Sequence, residues 1–499
     1  MPYDFDVIVI GSGAGGATFA SACARAGKHV LVLERGHKYE VADQKHNEQA
    51  MLIDKRPYHD QTVRVNGLPR RLYAGGVLGG STALYGAALM RPSVDDFHPG
   101  KHYGDRIPRA IWDWPVGYDD LETHYSEAEK LYGVSGCTED DFGPLKKPRD
   151  GYAHQPLPIK PINRKLIEAN AACGLKPFRL PLAIDFGRCL QCDSCAGYIC
   201  PNGARRSSAQ LVESTAAAGL RLDVMTNVEV DRFCKDGQER VTGVWAHERS
   251  TGQQLFFRAR RYALAAGAIG SPLLLLRSGI AGPLIGRHYM LHLSPIVAGI
   301  FAGRTGADKT FVKQIGFADY YLGTKEFPHK LGIVQSLPVP GPLMTAKAAG
   351  KRLPRGLIQV LRKRMLPLAG IVEDLPNPAN KVSLGNDGAA ELQHSYSPYD
   401  LERGRHLTQL MRQVLKRTGA LFCLGKPFAS DEHVAHQCGT LRFGQGAKDA
   451  VADSDCRMFD QPNVFIVDGS IFPTSLGVGP ALTIIANALR VANVALREV

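Results

Sequence analysis

The chain has 499 residues, with 60 Lys and Arg against 48 Asp and Glu, a formal charge of +12 and a sequence pI of about 9.1. Hydrophobic residues make up 44% and charged residues 22%, ordinary for a globular protein, and the 53 Gly and 31 Pro are scattered, which excludes collagen-like and low-complexity chains. At roughly 150 residues per domain, the length suggests two or three domains or one large fold with an insertion. The longest uncharged stretch, residues 469–489, is broken by Pro473, Gly477, Gly479 and Pro480, so no transmembrane helix is expected. An apolar run starts at Phe5 with no basic segment or cleavage site before it. A signal peptide is therefore not expected, and the expected compartment is the cytoplasm.

Phe5 to Ile10 (FDVIVI) reads as a short buried parallel strand. Gly11-Ser12-Gly13-Ala14-Gly15-Gly16 follows, then small and apolar residues at helical spacing, then a second strand over 29–33 that ends in Glu34. This is G-x-G-x-x-G in the order strand, glycine turn, helix, strand, acidic residue, and it predicts a dinucleotide site. Gly11 permits the tight turn, Gly13 lets the backbone approach a pyrophosphate, and Gly16 allows close helix–sheet packing. The helix amino terminus offers free N–H groups and a positive dipole end to the phosphates. Glu34 can accept the hydroxyls of an adenosine ribose, and its charge disfavours a ribose phosphate. The fingerprint alone does not separate FAD from NAD.

A second glycine loop, Gly75-Gly76-Val77-Leu78-Gly79-Gly80-Ser81-Thr82, leads to Ala88-Leu89-Met90-Arg91-Pro92. Farther on, four of the 11 cysteines cluster as Cys189-x-x-Cys192-x-x-Cys195-x-x-x-x-Cys200-Pro201. Without an export signal such a cluster points to metal before disulfides. The first three spacings match a bacterial ferredoxin run, whose final gap is shorter by one. Iron–sulfur, zinc, two disulfides or free thiols all remain open for this loop. From about 294 to 422 the pattern turns to alternating strands, such as 311–320 and 331–339, with Asn386-Asp387-Gly388 as a turn signal. A helix is expected over 399–418.

Three further segments complete the series: Ala265-Ala266-Gly267-Ala268-Ile269-Gly270-Ser271-Pro272, Gly286-Arg287-His288-Tyr289-Met290 and Val467-Asp468-Gly469-Ser470 with Pro473 and Pro480. With His436-Gln437-Cys438-Gly439-Thr440, the whole chain resembles, in order, the glucose–methanol–choline (GMC) family of FAD-dependent oxidoreductases. The resemblance implies an α/β fold, α+β overall: a discontinuous Rossmann-like FAD-binding domain with an inserted antiparallel-sheet substrate domain. The expected division is 1–293 (with a cysteine-rich loop at 187–208) and 423–499 for FAD, and 294–422 for substrate. It implies that Glu34 holds the adenosine ribose and that Gly76, Gly79, Gly80, Ser81 and Thr82 lie along the pyrophosphate and flavin. Val228 would meet the adenine through its backbone, and Asp468 with Gly469 would hold the ribityl chain. Gly11, Gly13, Gly16, Gly267 and Pro480 complete the expected cofactor set.

The resemblance also implies hydride transfer from an alcohol to flavin, with His436 as base or alkoxide partner. Histidine suits that work because its reference pKa is about 6.5. His433 has no counterpart in the motif. Two positions depart from the family. Leu84 stands where some members carry a histidine bound covalently to flavin, so dissociable FAD is expected. Gly479 stands immediately before Pro480, where the family places Asn or His. Another residue filling the gap, a polar group on the substrate, or other chemistry are the three explanations. Certain dehydrogenases of this group carry an iron–sulfur cluster, and Cys189, Cys192, Cys195 and Cys200 are the expected ligands if one is present. A cluster would favour a non-oxygen acceptor such as a cytochrome, ferredoxin or quinone. Two further readings stand beside this one: an FAD protein with non-standard chemistry, and an electron-transfer or membrane-associated binding subunit. Nucleic-acid binding is not expected, since no recognition motif accompanies the charge.

The charge itself concentrates between Phe327 and Val372, which hold no Asp or Glu but carry Lys330, Lys347, Lys351, Arg352, Arg355, Arg362, Lys363 and Arg364. Leu357, Ile358, Leu361 and Met365 are expected to share one helical face there. The segment reads either as a solubilising face or, over 347–366, as a docking surface for an acidic redox partner or an anionic membrane.

Overall fold

The computed structural model describes residues 3–39, 47–192, 194–350, 353–426 and 432–497. Its first layer grows from the run Val7, Ile8, Val9 and Ile10, which is apolar on both faces and buried on both. The strand Phe5–Ile10 pairs in parallel with Val30–Glu34 on one side and Ala259–Leu264 on the other. Leu222–Thr226 and Val464–Ile466 complete a five-stranded sheet in the order 464, 259, 5, 30, 222. Strands from the two ends of the chain thus share one sheet, with only Ala259–Leu264 between them. The helix Ala14–Arg25 packs against Ala481–Arg497, whose Leu482, Ile485, Ala486 and Leu489 are buried.

A second, seven-stranded sheet is antiparallel and centred on Met365–Glu373, a nine-residue strand buried at every position. It pairs with Ile296–Ile300, Ile333–Ser336 and His292–Leu293, and the sheet extends to Ile315–Phe317, Phe178–Arg179 and Phe422–Lys426. The helix Pro398–Arg417 covers one face through Leu407, Met411, Val414 and Leu415. Its start is set by Ser397, whose hydroxyl accepts from Asp400 N while the Asp400 carboxylate accepts from Ser397 N. This helix lies one residue from its expected position. The strands expected over 311–320 and 331–339 are shorter, at Ile315–Phe317 and Ile333–Ser336, because only these central residues find backbone partners. A hairpin of Thr62–Val65 and Leu68–Arg71 joins Lys381–Leu384 and Ala390–Gln393 in a smaller sheet.

A buried ionic cluster ties the end of the strand Met365–Glu373 to the turn Val94–Phe97. Lys330 Nζ pairs with Glu373 at 2.6 Å and with Asp96, and all three side chains are at most 1% exposed. Tyr321 donates to Asp96 at 2.5 Å, Tyr103 donates to Glu373, and Arg403 donates to the Glu373 carbonyl at 2.6 Å. Buried charges persist only when so paired.

This cluster corrects the reading of the basic segment, because Lys330 is an interior cation with two carboxylates. Lys347 pairs with Glu432 at 2.7 Å, and Lys351 and Arg352 lie outside the described residues. The helix Arg355–Arg362 buries Ile358 and rests Leu361 on the core, but Leu357 and Val360 are exposed, and Met365 begins a strand. The expected four-residue apolar face is therefore not formed. Among the described residues, no helix is long and apolar enough to cross a membrane.

Candidate active site

The carboxyl ends of the parallel strands Phe5–Ile10, Val30–Glu34 and Val464–Ile466 converge, and most of the expected cofactor residues gather there. Gly11 turns the chain with φ of +101°, and a Cβ on Gly16 would lie 2.1 Å from the Gly11 carbonyl oxygen. Only glycine allows this helix so near the turn. A Cβ on Gly13 or Gly267 would meet nothing within 4 Å, so the backbone opens onto free space at both.

Glu34 is buried, and its carboxylate accepts from Ser12 N at 2.9 Å, Ser12 Oγ at 2.6 Å and Gly36 N at 2.6 Å. Ser12 Oγ also accepts from Gly79 N at 2.8 Å, which fastens the second glycine loop to the first. Within that loop Gly76 passes against the Tyr58 backbone, and Gly80 lies against Gly13. Ser81 Oγ accepts from Gly75 N at 3.1 Å, and Thr82 donates to the Gly79 carbonyl at 2.7 Å. Val228 follows Asn227, whose N–H donates to the Gly36 carbonyl at 3.0 Å, so it lies beside the Glu34 end of the cradle.

At the other end Asp468 accepts from Gly267 N at 2.8 Å, Ser271 Oγ at 2.6 Å and Ser470 N at 2.8 Å. Burial raises its pKa, against these three donors. Gly469 starts a short turn, and the Pro480 carbonyl accepts from Ile484 N in the first turn of the helix Ala481–Arg497. Ser470 Oγ and Gln437 Oε1 are buried without a protein partner. Open glycine backbone, a helix amino terminus, a carboxylate at each end and orphaned polar atoms fit a flavin dinucleotide. Leu84 is buried with Tyr58, Val77 and Ala83 and offers no nucleophile.

His436 is tied to this cradle through its own segment. Gly439 N donates to the Gly469 carbonyl at 3.2 Å and Leu441 N to the Ser470 carbonyl at 2.8 Å. His436 Nδ1 lies 2.9 Å from His292 Nδ1, and His292 Nε2 lies 2.8 Å from the Leu476 carbonyl oxygen. A Cβ on Gly479 would lie 3.3 Å from His436 Nε2. That position is also 3.5 Å from Cε1 and 4.0 Å from Cδ2, so Gly479 leaves room over the ring at its Nε2 edge. Burial lowers the His436 pKa well below 6.5, and the Lys313 ammonium lowers it further. The ring is therefore neutral at neutral pH, as a base requires. His433 stacks on Tyr73 with ring centroids 4.7 Å apart, a packing role.

Three residues at the site escaped sequence reasoning. Ser12 and His292 stand inside or beside quoted motifs, but only folding brings them to Glu34 and His436. Lys313 is buried, donates to the Gly86 carbonyl at 2.9 Å and has its pKa lowered to about 8 by burial. Its signal was a lone lysine among Phe311, Val312, Ile315 and Phe317.

Cys189, Cys192, Cys195 and Cys200 line one small cavity with Arg205 and Phe311. All four are free thiols, so the disulfide alternative is not what the fold adopts. Among the described residues no three His, Cys, Asp or Glu side chains converge to hold a metal. The thiols as arranged do not form the expected ligand set, and Arg205 at the cavity wall braces the loop by donating to the carbonyls of Cys195, Tyr198, Ala83 and Tyr85.

The amino-terminal sequence profile of the GMC oxidoreductases matches residues 5–294, and the carboxy-terminal profile matches 376–488. A 6'''-hydroxyparomomycin C oxidase of Streptomyces lividus is 31% identical, over 97% of this chain and 90% of its own length. A paromamine 6'-oxidase of Streptomyces fradiae is 29% identical, over 98% and 91%. Among solved structures, pyridoxine 4-oxidase from Mesorbium loti superposes with a TM-score of 0.68 at 19% identity, covering 98% of both chains, a likeness of fold. On the two matched profiles and the relative that spans its length, the chain belongs to the GMC oxidoreductase family.

Proposed function

We propose that this protein is an FAD-dependent oxidoreductase acting on the CH–OH group of a small-molecule alcohol, with His436 as base. The observation that carries the reading is a buried imidazole whose segment is hydrogen-bonded to the Gly469–Ser470 turn, with Gly479 leaving room beside its Nε2 edge. Gly11, Gly13, Gly16, Glu34, the 76–82 loop, Val228, Gly267, Asp468, Gly469 and Pro480 would hold the dinucleotide non-covalently. Bound FAD would supply the two-electron acceptor for the carbinol hydride, and His436 Nε2 would take the hydroxyl proton as the C–O bond becomes C=O. His436 lowers the barrier by accepting that proton as negative charge develops on oxygen. The Lys313 ammonium adds positive charge to the same region. The two relatives named as oxidases of paromamine and 6'''-hydroxyparomomycin C direct the search toward polar, polyhydroxylated substrates.

No step of this reading passes through the cysteine loop, and oxygen, a quinone and a protein carrier remain distinct acceptors to assay. The deciding experiment is anaerobic mixing of the purified holoenzyme with an alcohol panel that includes paromamine. Bleaching of the oxidised flavin band by one alcohol, lost in His436→Asn with FAD content unchanged, is the expected result. A fully FAD-loaded wild type that no alcohol bleaches would favour non-standard chemistry at Gly479, and an undiminished His436→Asn would remove His436 as base.

A further inference from the structure

The chain of atoms behind His436 fixes where its proton sits. The Leu476 carbonyl oxygen can only accept, so His292 Nε2, 2.8 Å away, carries a hydrogen. A neutral His292 then has a bare Nδ1, and that atom lies 2.9 Å from His436 Nδ1. The bond between two Nδ1 atoms needs one hydrogen, and only His436 can supply it. A neutral His436 is left with its lone pair on Nε2, at the ring edge beside Gly479. Burial keeps His292 neutral, lowering its pKa to about 4.

From this network we infer that His292 is a positioning residue that holds His436 in the Nδ1–H tautomer, so that the bare Nε2 is presented to the substrate hydroxyl. The inference rests on the reading of His436 as base. The same bond serves the next state: once Nε2 has taken the hydroxyl proton, the Nδ1–H of the imidazolium still points at the His292 lone pair. No bond to His292 has to form or break as the charge appears.

The support extends one group deeper. Leu476 C=O and Gly477 N–H belong to one peptide unit, and Gly477 N donates to Asp96 Oδ1 at 3.2 Å. Asp96 is paired with buried Lys330 and accepts from Tyr321. A carboxylate therefore polarises the peptide that orients His292. Both ends of the arrangement use left-handed backbone on non-glycine residues, with φ of +64° at Leu476 and at His436. Such conformations persist where the surrounding structure enforces them. The ring planes of His292 and His436 stand 82° apart with centroids 4.9 Å apart.

The test uses the full-length holoenzyme labelled with 15N-histidine. The His436 signals are identified by their loss in His436→Asn. The expected spectrum has a protonated Nδ1 and an unprotonated Nε2 on His436, and the reverse tautomer would overturn the inference. Two variants give an independent reading through anaerobic flavin reduction by paromamine or whichever alcohol of the panel bleaches the flavin. His292→Phe removes the acceptor and should slow reduction at least about tenfold, toward the 10²–10⁴ that a general base contributes, with KM little changed. His292→Asn puts an amide oxygen near the former Nδ1 and should recover part of that loss. Equal rates in His292→Phe and wild type, or no recovery in His292→Asn at equal FAD content, would overturn the inference. If neither variant folds, the wild-type spectrum still decides. Loss of activity in His436→Asn alongside a refuted tautomer would leave the base reading standing, so the two failures are distinguishable.

Discussion

Replacing Lys330 by Met tests the ionic cluster that ties the strand Met365–Glu373 to the turn Val94–Phe97. The substitution keeps most of the side-chain volume but leaves Asp96 and Glu373, both at most 1% exposed, without their shared cation. Removing one partner of a buried pair costs about 3–5 kcal/mol. Unfolding entropy is about 2.1 cal/mol/K per residue, so a 499-residue chain unfolding as a unit changes by roughly 1 kcal/mol per degree. The expected fall in Tm is therefore about 3–5 °C near neutral pH. The pH dependence sharpens the test. In the wild type, burial alone would raise the Glu373 pKa, but the Lys330 ammonium brings it below the usual carboxylate range. That stability is present above the unfolded pKa and is lost as pH falls through the folded one. In Lys330→Met only Tyr103, Arg403 and Tyr321 still oppose burial, so the folded-state pKa of Glu373 should rise above the unfolded value and that of Asp96, already raised by burial, should rise further. Their penalty is then absent in acid and grows as pH rises through the unfolded pKa. Differential scanning fluorimetry of FAD-loaded proteins from pH 5 to 8 should show a gap to wild type that widens with pH. A constant gap, or an unchanged Tm at pH 8, would refute the assignment of net stability to this cluster.

With the His436 pKa held well below 6.5, activity should persist well below that pH and fall only when the imidazole is protonated. Lys313→Met removes a cation that helps to lower it, so the acidic limb of kcat/KM should move upward, and any change near pH 8 from Lys313 itself should vanish; an unmoved profile would exclude electrical contact between the two. Because Leu84 cannot bond to flavin, acid precipitation should leave all FAD in the supernatant, and flavin in the washed precipitate would refute non-covalent binding. Iron and acid-labile sulfide assays on anaerobically purified protein test the ferredoxin-like cysteine spacing. Stoichiometric amounts of both would require the thiols to leave the free arrangement around Arg205, and absence of both would end the cluster reading.

The amino-terminal site was legible because its signals are local. Gly11, Gly13 and Gly16 are spaced by the geometry of one turn and one helix, and Glu34 ends the next strand, so periodicity and backbone sterics suffice to foresee them. The helix Pro398–Arg417 was legible for the same reason, through its apolar spacing. The short strands Ile315–Phe317 and Ile333–Ser336 were not bounded correctly, since a strand ends where its partner ends, and that partner is distant in sequence. Lys330 looked like one more surface charge because its two carboxylates lie 234 and 43 positions away.

Sequence alone therefore determined the family resemblance, the strand–glycine turn–helix unit at the amino terminus and the histidine proposed for the reaction centre. Only the tertiary structure decided what stands behind that histidine. Residues 292, 436 and 476 come from three separate segments, and a hydrogen bond between side chains depends on distances of a few tenths of an ångström that no spacing rule encodes. The same holds for the charge: +12 is a property of the composition, but whether a given lysine is a solvated face or a buried counter-ion depends on what the fold places against it.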